Sequence, residues 1–443
     1  MNGISILDFG ASANGELCTK ALQAALDEAN GRKNATVVVP CGDYVTGTVN
    51  LGSASLYLEK GAVLKGSPCL GDYSTCGYRH NEMGDVLPLL YSMNGEGITI
   101  SGEGTIDLNG DAFFDFDRPS VPRSGRGLTP EQVLECTVPT TGRPNQPIFF
   151  HQCRNIVVKG VKIINSPCWT FTFNDCETVR MLDLTIDNNL RIPNNDGMHF
   201  CCSRDILIRG CVISSGDDCI ALSSITDWNK FCEGVVISDC ILTSCSKAIV
   251  AGYMHSLVRN VCISNVIIRR SNRGLCIMSS ERTGLVENVT VSNVLIDTRV
   301  RAGNWWGNGE PILIMATWHH NPGYDMPPPD RCFDANVRNI HVQSAICSSE
   351  NAIGIVGANG NVCGVTISGL SMQLKDSENK GIKGNRVDLS PSDAGGALPE
   401  DGNDYWLLVE QAEDIVITNP RITDYHGRKP LACIRGTQAC RIE

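Results

Sequence analysis

The sequence predicts an all-β fold: a right-handed parallel β-helix, a single-stranded solenoid, with a small N-terminal α/β cap. Three observations lead there. Short Val- and Ile-rich segments return every 23 to 29 residues through the middle of the chain. The stretches between them are rich in Gly, Asn, Asp and Ser, the residues of tight turns. Helical spacing is confined to the N-terminal block.

In that block, Ile4 to Phe9 reads as a strand, and Glu16 to Ala29 as an amphipathic helix carrying Leu17, Ala21, Leu22, Ala25 and Leu26 on one face, ended by Gly31. Val37-Val38-Val39, Asp43 to Val49 and Ser55 to Leu58 read as strands. The helix is expected to cover one open end of the β-helix.

From about residue 95 the chain repeats itself. Ile156, Val179, Ile206, Val235, Val261 and Val289 occupy matching places, 23, 27, 29, 26 and 28 residues apart, with weaker copies near Val337, Val362 and Ile415. Each copy holds two or three short strands of period two. Such a period without helices means a β-solenoid, whose coils bury a core only by stacking, with rungs about 4.8 Å apart. A propeller blade needs about 40–50 residues, and no leucine-rich consensus is present. The whole chain, 1–443, therefore reads as a single domain, with the cap and first coils within 1–70. Two segments break the period, Phe113 to Asn145 and Ala302 to Pro329, the latter with His319-His320; both read as long loops walling a groove.

Composition narrows the function classes. The 443 residues are 42% hydrophobic and 19% charged, with 44 Gly and a net charge of −11. An acidic surface argues against nucleic acid or an anionic membrane as partner. No apolar run is long enough to span a bilayer. The start, Met1 to Leu7, lacks the basic and apolar regions of a signal peptide, which favours a cytoplasmic bacterial protein; a removed signal would make it secreted. The 22 cysteines show no zinc-knuckle spacing and read mainly as small buried hydrophobes of a reducing compartment, a few disulfides being the alternative. No metal or other cofactor is expected.

The densest chemistry lies in two consecutive coils, in Asn194-Asn195-Asp196-Gly197 and Ser215-Gly216-Asp217-Asp218. Asp196 and Asp217 are 21 residues apart, about one short coil, so stacking should bring them together, with Asp218 beside them. Three acids on one patch repel, which should raise at least one pKa. A protonated carboxyl that protonates a leaving oxygen, beside ionised carboxylates that activate water, is what glycoside hydrolysis needs. The same residues also make ordinary turns, and they could ligate calcium.

At these residues the chain resembles glycoside hydrolase family 28, the polygalacturonase and rhamnogalacturonan hydrolase family, over nearly its whole length. The resemblance is carried by Leu7-Asp8-Phe9-Gly10-Ala11, Val38 to Tyr44, Leu56 to Ala62, Gly102 to Asp107 and Asn165 to Thr170, then by Asn194-Asn195-Asp196 and the Asp217-Asp218 pair. It implies inverting, single-displacement hydrolysis, with Asp217 as general acid and Asp196 and Asp218 holding and deprotonating the water. The chain departs from the pattern in two places. Ser246-Lys247-Ala248 stands where Gly-His-Gly is expected, and Cys276-Ile277-Met278 replaces the Arg-Ile-Lys that binds the uronate carboxylate.

Lys247 is therefore either a solvated turn residue or a group that neutralises the carboxylates or meets a sugar acid. Arg273 and Arg282 are candidate basic replacements, with a plain surface role as the alternative. The run Trp305-Trp306-Gly307-Asn308-Gly309-Glu310-Pro311 resembles a loop of bacterial members, in which the rings either stack on sugar or anchor the loop. Candidate substrate contacts are thus Asn194, Lys247, Arg273, Trp305, Trp306 and Glu310, and Trp228 is a candidate cleft residue. His199 reads as a structural histidine. The expected partner is a pectin-derived oligosaccharide or related small glycoside, attacked in exo fashion, with the oligomeric state open. A β-helix lyase or epimerase acting on uronates, and a non-catalytic glycan-binding β-helix, are the alternatives.

Overall fold

The structure, a computed structural model, describes residues 3–32, 35–118, 135, 138, 140–280, 284–303, 305–317, 336–358, 360–377, 379, 387–389, 396–397, 405–437 and 439–443. Arg282, His319-His320, the greater part of the predicted loop 113–145 and nearly half of the predicted loop 302–329 lie outside them. The chain groups into two compact units, Met1–Pro119 with Val138–Gly216, and Ser120–Thr137 with Asp217–Glu443. Each is a stack of right-handed parallel β-helix coils.

In the first unit a coil consists of three strands. Ile148–His151, Arg154–Lys159 and Lys162–Ile164 form one coil; Phe171–Asn174, Glu177–Leu182 and Thr185–Asp187 the next; Met198–Cys201, Arg204–Arg209 and Val212–Ser215 the third. Each strand pairs in parallel with its counterpart one coil away, and the repeat positions Ile156, Val179 and Ile206 stand in register. The period-two pattern turns those residues inward, where all three are buried. On the first face of the coil the inward row is aromatic. Phe150, Phe173 and Phe200 are in register, and their rings stack nearly parallel with centroids 5.2 and 4.8 Å apart. Such offset stacks add about 0.5–1.5 kcal/mol per pair beyond burial.

The second unit follows the same plan. Val235, Val261, Val289, Ile340, Val365 and Ile415 form one buried in-register row, and Val337 pairs with Val362. Two of the predicted short strands are here continuous, in Leu257–Ser271, Leu285–Thr298 and Asn336–Ser349. The corners survive as single left-handed residues inside these long strands: Asn260, Asn288 and Asn339 have φ of 57–58°, and Asn265 and Asn293 have φ of 54–55°. Asn tolerates this region because its side chain bonds locally. Here the side chains also bond along the stack, Asn288 Nδ2 to Asn260 Oδ1 at 3.1 Å and Asn339 Nδ2 to Asn288 Oδ1 at 2.6 Å.

At the N-terminus the strand stops early, at Gly3–Ser5, and Ile6–Phe9 turns into a 3-10 helix capped by Ser5 Oγ, because Gly10 supplies the left-handed C-cap. The α-helix runs Thr19–Asn30 rather than from Glu16. Its Leu22, Ala25 and Leu26 are wholly buried, and Gln23 and Asn30 tie it to the backbone of Asn50 and Leu51. Among the described residues the cysteines are free thiols, and no helix is long and apolar enough to cross a membrane.

Candidate active site

In the first unit, the turn 194–197 leads into the strand Met198–Cys201. Asn194 adopts a left-handed φ of 59°, and its Oδ1 accepts from Arg143 Nη2 at 3.1 Å. Arg143 also donates to the carbonyls of Pro167 and Pro193, so this guanidinium ties the turn to the preceding coil. Asn195 is fully buried; its Nδ2 donates to Asn189 O, and its Oδ1 accepts from Gly216 N. A Cβ at Gly216 would meet Ile192 O at 2.3 Å and Asn195 Oδ1 at 2.8 Å, so only glycine fits against this turn. Asp196 is 3% exposed, and its backbone carbonyl accepts from Thr170 N at 2.8 Å. Its Oδ2 lies 3.3 Å from His199 Nδ1. The His199 ring packs on Trp169 with centroids 3.9 Å apart, and Trp169 meets His80 edge-on at 5.1 Å. Burial, with His199 nearby, pushes His80 down to about 3, so it is neutral at ordinary pH.

In the second unit, Asp217 and Asp218 precede the strand Ile220–Ser223. Asp217 is half-buried, and its carbonyl accepts from Ser244 Oγ at 2.6 Å. Asp218 is buried; its Oδ1 accepts from Lys247 Nζ at 2.9 Å and from Lys247 N at 3.1 Å. Lys247, at 1% exposure, is no solvated turn residue. Its Nζ also lies 4.6 Å from the centroid of the Trp306 ring, which stacks in turn against Tyr253. Burial works to lower the Lys247 pKa, but Asp218 and Asp217 together outweigh it, and the ammonium is held above the usual lysine range. Lys247 is thus the counter-charge of the acid pair.

Three of the candidate contacts, Arg273, Glu310 and Trp305, are buried. Arg273 and Glu310 are wholly buried and face each other, Nε to Oε2 at 3.4 Å. Arg273 Nη2 donates to the carbonyl of Asp388, and Glu310 accepts from Asn308 N at 2.8 Å and Asp388 N at 2.6 Å. Burial pushes the Glu310 carboxyl upward, while Arg273 and these backbone donors oppose it. An arginine and a glutamate buried and paired in this way brace the loop. Trp305 is likewise an anchor: it is buried, and its indole N–H donates to Glu135 O at 2.9 Å. Trp306 is half-buried and belongs to the Lys247 group. Trp228 packs edge-on against His255 at 5.0 Å. Cys276 and Met278, at the sequence positions of the missing basic motif, sit in a buried apolar cluster with Val250, Leu313, Val387 and Leu389.

Sequence reasoning missed the partnership of Asp196 with His199. The signal was present in the i, i+3 spacing across Gly197. It missed His80 entirely, since that ring comes from a short hairpin at Arg79–His80 with no motif of its own. Among the described residues no group of three or more His, Cys, Asp or Glu is placed to hold a metal ion.

Residues 31–390 match the family described as glycosyl hydrolases family 28. A polygalacturonase of Malus domestica is 27% identical over 225 residues, 50% of this chain and 44% of that protein. An exopolygalacturonase of Zea mays is 27% identical over 229 residues, 49% of this chain and 48% of that protein. The chain thus spans less than half the length of these relatives. Among solved structures, a family 28 exopolygalacturonase of Yersinia enterocolitica superposes with a TM-score of 0.73 at 17% identity, covering 100% of this chain and 78% of that one. A hyperthermoactive exopolygalacturonase of Thermotoga maritima gives 0.60 at 20% identity, covering 84% and 87%. At these identities the superpositions speak to the fold alone.

Proposed function

This chain belongs to glycosyl hydrolases family 28, and from that premise we propose that it hydrolyses glycosidic bonds in pectin-derived oligosaccharides, working from a chain end with inversion at the anomeric carbon. The exo mode is supported by the similarity of this chain to an exopolygalacturonase of Zea mays.

One observation carries the assignment of roles, the buried ion pair of Lys247 with Asp218 at 2.9 Å. A carboxylate committed to an ammonium is a poor proton donor, because giving up its charge would leave the ammonium buried alone. The general acid is then Asp217, which is half-buried and so within reach of a leaving oxygen. The family resemblance gives Asp196 and Asp218 the part of holding and deprotonating the attacking water. Inversion needs acid and base about 6.5–9.5 Å apart, with room for that water between them. Trp306, held over Lys247, offers its remaining ring surface to a sugar.

The test is Asp217→Asn assayed on a panel of oligogalacturonides and neutral pectic glycosides. The expected result is loss of hydrolysis with an unchanged melting temperature. Wild-type turnover by that variant rejects Asp217 as the acid. An unsaturated product absorbing in the ultraviolet would reject hydrolysis in favour of elimination.

A further inference from the structure

A polyanionic substrate meets a chain of net charge −11, so binding it takes local cations. Two candidates are already spent, Lys247 on Asp218 and Arg273 on Glu310. Two others, Arg143 and Arg191, are half-buried in the first unit and flank the turn that carries Asp196. Arg143 lies at the end of the insertion Phe113 to Asn145, and Arg191 three residues ahead of Asn194. Arg143 donates through Nη1 to the carbonyls of Pro167 and Pro193, at 2.7 and 2.6 Å, and through Nη2 to Asn194 Oδ1 at 3.1 Å. All three acceptors are neutral. Arg191 Nε is buried and meets no acceptor among the described residues. Each guanidinium rests on an aromatic ring of one short segment, Arg143 on Phe114 and Arg191 on Phe116, both 5.4 Å from the centroid. Those two rings are 6.5 Å apart. The acids of the same segment accept elsewhere: Asp111 Oδ1 from Asn189 Nδ2 at 3.1 Å, and Asp115 Oδ1 from Asp117 N at 3.2 Å. Among the described residues neither arginine forms an ion pair with a carboxylate. Two cations partly withdrawn from water, with no counter-charge, mark a place where an anion is missing.

We infer that Arg143 and Arg191 form an anion subsite beside the Asp196 turn, and that its ligand is the carboxylate of a uronic acid residue in the substrate. The inference rests on the reading of the chain as a hydrolase of pectin-derived oligosaccharides and deepens it by naming what recognises the acid. Guanidinium groups bind carboxylates in their own plane, through N–H donors at the edge. A ring beneath the guanidinium covers a face and leaves the edge. Of its five N–H donors, Arg143 gives three to the two carbonyls and Asn194, which leaves two. The place also suits the chemistry. Arg143 pins the turn 194–197, so a carboxylate held by that arginine is held at a fixed position relative to the backbone of Asp196. Cys276 and Met278, at the sequence positions of the missing basic motif, are enclosed in an apolar cluster. The cation for the uronate then comes from the first unit, and a methyl ester or a neutral sugar leaves both arginines without a counter-charge.

The test measures kcat/KM on trigalacturonate and on its methyl ester for the wild type, Arg191→Gln and Arg143→Gln, with melting temperatures for each. The same three proteins are titrated by calorimetry with galacturonate, galactose and sulfate. Loss of hydrogen bonds to a charged group predicts that the preference for free acid over ester falls about tenfold to hundredfold in Arg191→Gln. The preference is a ratio within one variant, so a loss of folded protein cancels from it. Arg143→Gln also loosens the turn and is expected to slow both substrates, with a similar fall in the preference. Galacturonate is expected to bind the wild type more tightly than galactose does, and to lose about tenfold or more in either variant. If the wild type hydrolyses trigalacturonate and both variants keep its preference for the acid, the subsite falls and the hydrolase reading stands. If the wild type hydrolyses nothing while galacturonate binding still depends on the two arginines, the hydrolase reading falls and the subsite stands. Galacturonate bound no better than galactose by the wild type would overturn the subsite. Sulfate bound as tightly as galacturonate, and weakened by the same substitutions, would overturn the assignment to a uronate.

Discussion

Replacing Lys247 with Met keeps the length of the side chain and removes its charge. Lys247 Nζ and Asp218 Oδ1 are 2.9 Å apart with both side chains nearly out of water, at 1% and 11% exposure. At an effective dielectric of about 20 their gross attraction is about 6 kcal/mol, part of which offsets desolvation of the two ions. Breaking such a pair from one side leaves a buried carboxylate alone, at a cost of about 3–5 kcal/mol. The lost contact with the Trp306 ring adds about 0.5–2 kcal/mol. The assay is thermal unfolding followed by circular dichroism for Lys247→Met, Asp218→Asn and the double variant. The single Lys247→Met variant should melt well below wild type, and the double variant should regain most of the loss. The pH dependence has a definite sign. The folded-state pKa of Lys247 is raised above its unfolded value, so its contribution is complete below the unfolded pKa of about 10.4 and is lost as pH rises through the folded value. The gap between wild type and Lys247→Met should therefore stay constant from about pH 6 to 9 and close only in strong alkali. A coupling below about 1 kcal/mol in the cycle, the range of exposed pairs, would refute the reading of Lys247 as the counter-charge of the site.

Two further outcomes are expected from the same geometry. Arg273→Met leaves Glu310 buried without its ion pair and should cost about 3–5 kcal/mol, read as a lowered melting temperature, while KM on a substrate turned over at low temperature stays near wild type; a large rise in KM with unchanged melting would restore Arg273 as a sugar contact. Phe173→Ala removes the middle ring of the in-register Phe150, Phe173 and Phe200 row and should destabilise by about 3–5 kcal/mol in thermal unfolding; a loss under about 1 kcal/mol would mean that the row is not part of the core.

The solenoid was readable because its physics repeats. A buried residue such as Ile156, Val179 or Ile206 must recur once per coil, and a corner such as Asn260 or Asn288 must recur as a residue that tolerates a left-handed backbone. Neither demand depends on distant parts of the chain. The continuous strand Leu257–Ser271 was not readable, because the same Asn that breaks a strand in one coil merely bends it in another. The candidate acids could be picked out in sequence because they sit in short motifs, Asn194 to Gly197 and Gly216 to Asp218. Partners supplied from afar could not. Arg273 and Glu310 look like exposed functional groups in sequence, yet each neutralises the other across a separation of 37 residues. His80 was invisible for the same reason, its partner Trp169 lying far along the chain.

The proposed reaction turns on water, activated by carboxylates and not by a covalent enzyme intermediate, attacking the anomeric carbon. The direct measurement is the configuration of the sugar first released from trigalacturonate, followed by proton NMR before mutarotation sets in. The predicted product is the anomer opposite to that of the bond cleaved. Release of the same anomer would require a nucleophilic carboxylate and would contradict single displacement.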